Sequence, residues 1–370
     1  MQRLVHVFGP AYLDRVLLLD RPLHDPGARP LDQSVDGSWR FGEGLKLVDP
    51  AGGTIAVTLP ADWPGPWGDV WLASRIGTGV AMTARGVSWH DDLGGMGAGF
   101  ASALGGVLVS ALGGSDDPMS QTVVALVRSN GVRHEPIRVE HEADWTLLVT
   151  SGPFGDKLPV GFRGCHAAIP TLTPAAERLG PCDLRVVAAF PNRLAAEALR
   201  APGATVRMFA PSSRNMSDAQ IPVGSFADAI DILCCNRHEW ESLEDREQVA
   251  WRVALLSITE GARGALVRFT TPTGEAGRVQ VPAFPREHPP RDTNRAGEAF
   301  ASTLVTALLD GGWTPTTGAS PELVEEAGRR ASAASALVLD RERFGFATSR
   351  EVDEAFVEGV VRGPGDADAG

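Results

Sequence analysis

A carboxylate stands at the mouth of a helix in the stretch Asp292-Thr293-Asn294-Arg295-Ala296-Gly297-Glu298-Ala299-Phe300. Small residues there precede an apolar-periodic run, Phe300 to Leu309, in which Leu304, Ala307 and Leu308 share one face at helical spacing. The pattern predicts a loop emptying into a helix N-terminus. Unpaired backbone N–H groups and the positive end of the helix dipole make such a place attractive to anions, phosphates included. A carboxylate at the lip of an anion site is electrostatically awkward. Glu298 makes chemical sense there if it takes a proton from a group attacking a phosphate. The same residues also fit an ordinary capped helix with Glu in its first turn.

The elements that would position this stretch can be followed along the chain. Leu4–Phe8 is a short apolar run ending in Gly9-Pro10, read as a buried strand, with Asp14 soon after. Ligands of open α/β sheets gather at the C-terminal strand edge, so Asp14 faces a ligand or caps a turn. From Arg21 to Trp89 prolines are dense, and Trp39, Trp63, Trp67, Trp71 and Trp89 cluster there. Leu45–Val48 and Thr54–Leu59 flank Asp49-Pro50-Ala51-Gly52-Gly53 as a predicted β-hairpin. The tryptophans either pack a small subdomain or interface, or stack on a base or sugar.

Gly94-Gly95-Met96-Gly97-Ala98-Gly99-Phe100-Ala101 then leads into a helix, its glycines allowing close backbone approach to a ligand. It is not a dinucleotide fingerprint: the third glycine would have to stand at Phe100 or Ser102, and charged Asp91-Asp92 precede it instead of an apolar strand. Short apolar runs then alternate with helical patterns, as repeated strand–helix–strand units produce. Asp116 and Asp117 fall in a loop, where they serve the loop or a metal. Ile230–Cys235 is a strand ending in Asn236-Arg237-His238-Glu239, and Leu255–Thr259 a strand running into Glu260-Gly261-Ala262-Arg263-Gly264. Helices are predicted over Glu322–Leu339 and around Val352–Val361, with a disordered tail over 364–370.

The totals exclude several classes. At 370 residues the chain suits one large α/β domain with an added subdomain, or two domains. A net charge of −12 argues against a broad nucleic-acid or anionic-membrane surface. Cys165, Cys182, Cys234 and Cys235 form no C-x-x-C pair and read as buried free thiols, as in a reducing cytosol. With no signal-peptide pattern and no run of membrane-spanning length, the expected location is the cytoplasm. No Gly-Lys pair occurs, so there is no Walker A loop.

Asp292 to Phe300 resembles the DTxGAGD signature of the ribokinase-like (PfkB) family of carbohydrate and nucleoside kinases. Asp292, Thr293, Ala296, Gly297 and Phe300 agree with it, while Arg295 stands at the family's first Gly and Glu298 at its catalytic Asp. Gly94 to Ala101 is similar to the ribokinase GGKGANQA segment that binds sugar, with Met96 in place of Lys and Gly99 in place of Asn. Asn236 and Glu239 match the N-x-x-E motif, and Thr259, Gly261 and Gly264 the nucleotide loop. The four matches fall in family order along nearly the whole chain.

The resemblance implies a ribokinase-like three-layer α/β sandwich with a mostly parallel central sheet and a small β-sheet lid. The kinase core would take 1–20 and 91–363, and the lid with a Trp/Pro-rich insertion 21–90. It implies transfer of the γ-phosphoryl of ATP to a hydroxyl of a sugar or nucleoside. Glu298 would be the base, with the backbone of Arg295, Ala296 and Gly297 holding the transferring charge. Asp14, Gly94, Gly95 and Gly99 would bind substrate, and Asn236, Thr259, Gly261 and Gly264 the nucleotide. Glu239 would organise Mg²⁺ through water, Asp292 and Thr293 a monovalent cation such as K⁺, and the lid a homodimer. The four departures from the motifs also fit a catalytically silent relative that binds a nucleotide or metabolite in a regulatory role.

Overall fold

The computed structural model describes residues 3–21, 54–63, 81–150, 157–162 and 164–362, with the strand backbones at 34–35, 38–41, 45–48 and 70–74. The side chains of Trp39, Trp67 and Trp71, the 49–53 turn and the tail over 364–370 lie outside the described residues.

A nine-stranded sheet runs in the order Arg133–His134, Val107–Val109, Val5–Phe8, Cys182–Ala188, Ala204–Ala210, Ile232–Asn236, Leu255–Thr259, Ala265–Thr270, Ala276–Val281. All neighbours are parallel as far as Leu255–Thr259, and the last two strands are antiparallel. Consecutive strand residues enter different cores. Val7, Val186, Met208, Ile232 and Leu255 belong to one apolar cluster, and Phe8, Val187, Phe209, Leu233 and Leu256 to the other. Burial on both faces explains the near-continuous apolar runs and requires helices on both sides, hence three layers. The chain leaves Val5–Phe8 first toward Val107–Val109 and later resumes on its other flank at Cys182–Ala188, so the order reverses around the first strand. Ligand crevices form at the C-terminal edge of such a reversal.

The second sheet also has nine strands and is mostly antiparallel. It is not confined to the span expected for the lid. Tyr12–Leu19, Trp145–Thr150 and Lys157–Phe162 are strands of it, as is Ala81–Gly94 to its end. The reason lies in side-chain alternation. Tyr12–Leu19 buries Leu13, Arg15, Leu17 and Leu19 on one face only, the mark of a sheet with one covered side. Arg15 is buried because Asp91 holds it through two hydrogen bonds of 2.6 and 2.7 Å. Its guanidinium carbon lies 5.0 Å from the Trp89 ring centroid and 6.0 Å from that of Trp63. These two tryptophans are therefore packing around a buried cation.

Some helices begin at a side-chain cap. Asp117 accepts the Met119 and Ser120 N–H groups at the head of Pro118–Ser129, and the Ala143 N–H as well, so it is a structural cap. The helix Met96–Leu104 enters across the end of the first strand, glycine upon glycine. A Cβ on Gly97 would lie 2.4 Å from the carbonyl carbon of Gly9. We expect Gly97→Ala to cost about 1–3 kcal/mol through this overlap, read as a lowered midpoint of urea unfolding. An unchanged midpoint would contradict the crossing.

Candidate active site

The expected helix is present, and it starts four residues earlier than the apolar run, at Ala296–Asp310. Arg295 precedes it with φ 64° and ψ −3°, in the left-handed region, and no side chain caps the helix. A side chain held there costs on the order of 1–3 kcal/mol and persists only when its surroundings hold it. They do so here. The Arg295 guanidinium donates to Asp292 Oδ2 at 3.1 Å and to the Arg341 carbonyl at 3.4 Å. It also reaches Asp92 Oδ2 at 3.5 Å and lies over Phe344, 5.9 Å from the ring centroid. Arg295 thus holds a backbone angle that glycine adopts readily, while its side chain is anchored to neighbouring loops.

Because Arg295 turns the chain this way, the first helical hydrogen bond runs from the Ala299 N–H to the Arg295 carbonyl at 2.9 Å. The Ala296 and Gly297 amides precede that ladder. Gly297 is exposed, and a Cβ there would meet nothing within 4 Å. This end of the helix opens on a hollow of about 310 Å³, whose wall includes Met96, Asn236, Glu239, Thr259, Gly297 and Glu298. Asn236 and Thr259 are register partners on adjacent parallel strands, so strand pairing brings two of the sequence motifs side by side.

Asn236 and Glu239 form a reciprocal cap. Asn236 Oδ1 accepts the Glu239 N–H at 2.8 Å, and Glu239 Oε2 accepts the Asn236 N–H at 2.8 Å. Burial, followed by the negative charge of Glu298 across the hollow, pushes the Glu239 carboxyl up to about 7 against the pull of its capping bonds. Two carboxyl groups facing one cavity, with the charge of Glu298 opposing ionisation of Glu239, make a place a divalent cation would relieve. Gly261 and Gly264 do not line the hollow; both have positive φ, and a Cβ on Gly264 would stand 2.0 Å from the Val281 carbonyl oxygen. They shape the hairpin behind Thr259. Asp292 accepts the Asn294 backbone and side-chain N–H groups at 2.8 and 3.1 Å and faces Arg295.

The glycine-rich segment closes the other side of Glu298. A Cβ on Gly99 would lie 3.3 Å from Glu298 Cγ, so the absence of a side chain at 99 leaves room for the extra methylene at 298. The two departures from the motifs are spatially paired. A Cβ on Gly94 would lie 2.5 Å from the Asp14 carboxyl carbon, and Gly95 has φ 97° against the Pro10 carbonyl. Of the four, Gly99 stands against Glu298, while Gly94 packs on Asp14 and Gly95 on Pro10; none of them is part of the wall of the hollow. Tyr12 lies among them: burial, then the charges of Asp14 and Glu298, push its hydroxyl far above the usual tyrosine range.

Tyr12 also lines a larger cavity of about 560 Å³ between the two sheets, with Asp144, Trp145, His166, Asn192 and Arg214. Trp145 and Phe162 stack at 3.8 Å in its wall. His166 Nδ1 and its backbone N–H bind Asp144 Oδ2 at 2.7 and 2.9 Å. Burial alone would raise Asp144, yet the His166 contacts hold its carboxyl down at about 2. His166 Nε2 is buried with no hydrogen-bond partner. Cys165 Sγ joins the group at 3.3 Å from Asp144, but burial pushes its thiol up, which disfavours the thiolate a metal needs. This cavity is not legible in the sequence because its residues are scattered from Pro10 to Asp218 and form no motif. All four cysteines are buried and free, as expected.

The model for the pfkB family of carbohydrate kinases matches residues 75–349. Among curated proteins, none matches the sequence. Ribokinase from Giardia lamblia superposes with TM-score 0.64 at 16% identity, over 97% of this chain and 99% of its own. A nucleoside kinase from Burkholderia thailandensis in complex with inosine gives 0.62 at 15%, over 96% and 98%. Phosphofructokinase-2 from Escherichia coli in complex with potassium gives 0.60 at 13%, over 97% and 99%. At these identities the structural likeness shows the fold, a ribokinase-like one. Among the described residues no helix is long and apolar enough to cross a membrane.

A carboxyl raised above its unfolded value binds its proton more tightly when folded, so it favours the fold at low pH and loses that contribution as pH climbs to the folded value. For Glu239 the window runs from about 4.5 to about 7. We expect the melting temperature of Glu239→Gln, relative to the parent, to rise between about pH 5 and about pH 8 in metal-free buffer. A difference that stays constant with pH would contradict the shift.

Proposed function

Since the chain belongs to the pfkB family of carbohydrate kinases, we propose that it transfers the γ-phosphoryl group of ATP to a hydroxyl of a sugar- or nucleoside-like small molecule. The observation that carries this reading is the uncapped start of Ala296–Asp310, open at Gly297 and flanked by Glu298. The Ala296 and Gly297 amides present fixed donors where phosphoryl charge spreads in transfer. Glu298 takes the proton of the acceptor hydroxyl, its longer side chain accommodated against Gly99. Asn236 and Thr259 face the nucleotide side of the hollow, with the Gly261 and Gly264 turn behind them. The paired charges of Glu239 and Glu298 fit Mg²⁺, which Glu239 would hold through water. When bound, Mg²⁺ supplies charge neutralisation to the phosphates.

The acceptor enters from the larger cavity, guided past Asp14, Gly94 and Gly95. Met96 and Gly99 offer few polar contacts, so the hydroxyl-bearing end is recognised mainly by Asp14 and backbone. The remainder of the molecule lies against Trp145 and Phe162, with Asn192 and Arg214 in the same wall. This favours an acceptor with a planar or apolar portion and a polar edge, as a nucleoside has. A cytoplasmic location and a homodimer through the lid belong to the same reading, the dimer being checkable by sedimentation. Potassium is bound in the phosphofructokinase-2 neighbour; the position that the family resemblance gives such an ion, Asp292 and Thr293, is occupied here by the Arg295 guanidinium facing Asp292.

ATP consumption across a panel of sugars and nucleosides tests the reading. We expect turnover with at least one acceptor and a loss of roughly a hundredfold to ten-thousandfold in Glu298→Gln, with Mg-ATP affinity little changed. Turnover that survives the substitution removes Glu298 from the base role. Mg-ATP binding without turnover on any acceptor replaces this reading with the catalytically silent one. Gly99→Ala should crowd Glu298 by a few tenths of an ångström and lower turnover on the order of tenfold with nucleotide binding intact. Full activity in that variant would break the proposed pairing of positions 99 and 298.

A further inference from the structure

We infer that the Arg295 guanidinium is a built-in cation that takes the place of a bound monovalent ion, so that this chain works without potassium. The inference rests on the phosphotransfer reading for its consequence, but its structural content stands apart from it. The oxygens that such an ion would need are already spoken for. Asp292 Oδ1 accepts the Asn294 N–H at 2.8 Å, and Oδ2 accepts Asn294 Nδ2 and Arg295 Nη2, both at 3.1 Å. The Arg341 carbonyl faces the same Nη2 at 3.4 Å. Asp92, buried in the last strand before the glycine-rich segment, meets Nη1 at 3.5 Å and accepts the Phe344 N–H at 2.7 Å.

One guanidinium therefore joins three loops: the turn into the Ala296 helix, the end of the Ala81–Gly94 strand, and the Arg341–Phe344 connection. Its side chain is 10% exposed, and the aromatic face of Phe344 covers it. A fixed positive charge at this distance repels a second cation and satisfies the carboxylates that would attract one. The residues at Asp292 and Thr293 thus do not fit a monovalent ion. Arg295 acts as a positioning residue: it holds the backbone turn that aims the Ala296 and Gly297 amides without touching the transferred group. The left-handed φ is the conformational cost of placing a side chain where the family has glycine.

The test uses the full chain at constant ionic strength in potassium, sodium or N-methylglucamine chloride. Melting temperature without nucleotide reads the Arg295 claim alone. Mg-ATP affinity and turnover read its consequence. We expect the parent to melt at the same temperature in all three salts and to keep affinity and turnover within about twofold. Arg295→Gly suits the backbone angle and vacates the carboxylates. It should acquire a saturable, potassium-specific rise in melting temperature, together with potassium-dependent Mg-ATP affinity. Potassium-specific stabilisation of the parent would overturn the inference, and so would an Arg295→Gly protein indifferent to the cation. If the parent binds no Mg-ATP in any salt, the phosphotransfer reading fails while the melting data still decide the role of Arg295.

Discussion

A helix that begins on a left-handed residue turns its first amides outward with no side chain to occupy them. In this protein that geometry is imposed at Arg295, and everything proposed for the site depends on it. If Arg295 relaxed to a right-handed angle, the loop from Asp292 would approach the helix along a different line and Gly297 would no longer open on the hollow. Local backbone strain is tolerated because the same side chain is gripped by Asp92, Asp292 and the Arg341 carbonyl. Strain and anchorage are thus two aspects of one residue.

The two sheets contribute different things. The parallel sheet brings Asn236 and Thr259 into register and stops both strands at the edge where the chain order reverses. The second sheet brings Asp14, Gly94 and Asp92 to the same edge from the opposite side, and supplies the aromatic wall of the larger cavity. Glu298 stands where the two contributions meet, with Gly99 cut back to admit it. Charge is managed across the gap as well: Glu239 and Glu298 both line the hollow, and Arg295, with its fixed positive charge, is part of the same wall.

Much of this was legible in the sequence. Continuous apolar strands, interleaved helical patterns and the four motifs in order led to the three-layer fold. The strand ends at Asn236 and Thr259 and a helix opening out of the signature followed from local chemistry, because caps, glycines and periodicity act over a few residues, although the helix begins four residues ahead of its apolar run. What escaped were features set by distant pairing. Tyr12–Leu19 belongs to the second sheet through its register with Ala81–Gly94 and Trp145–Thr150, which its own composition does not reveal. The coupling of Gly99 to Glu298 joins positions far apart in the chain, and each alone looked like a defect. The Asp144–His166 pair and its cavity carry no motif. The direction of the Arg295 side chain depended on Asp92 and Arg341, neither of which the signature mentions.

The central claim is that the Ala296 and Gly297 amides receive a phosphoryl group in transit. A crystal structure with ADP, Mg²⁺ and aluminium fluoride addresses it most directly, since the planar fluoride mimics the migrating group. The account predicts that fluoride lies within hydrogen-bond reach of the Gly297 N–H, with the Glu298 carboxylate on its acceptor side. A fluoride bound elsewhere, or a Glu298 side chain turned away from it, would contradict the account.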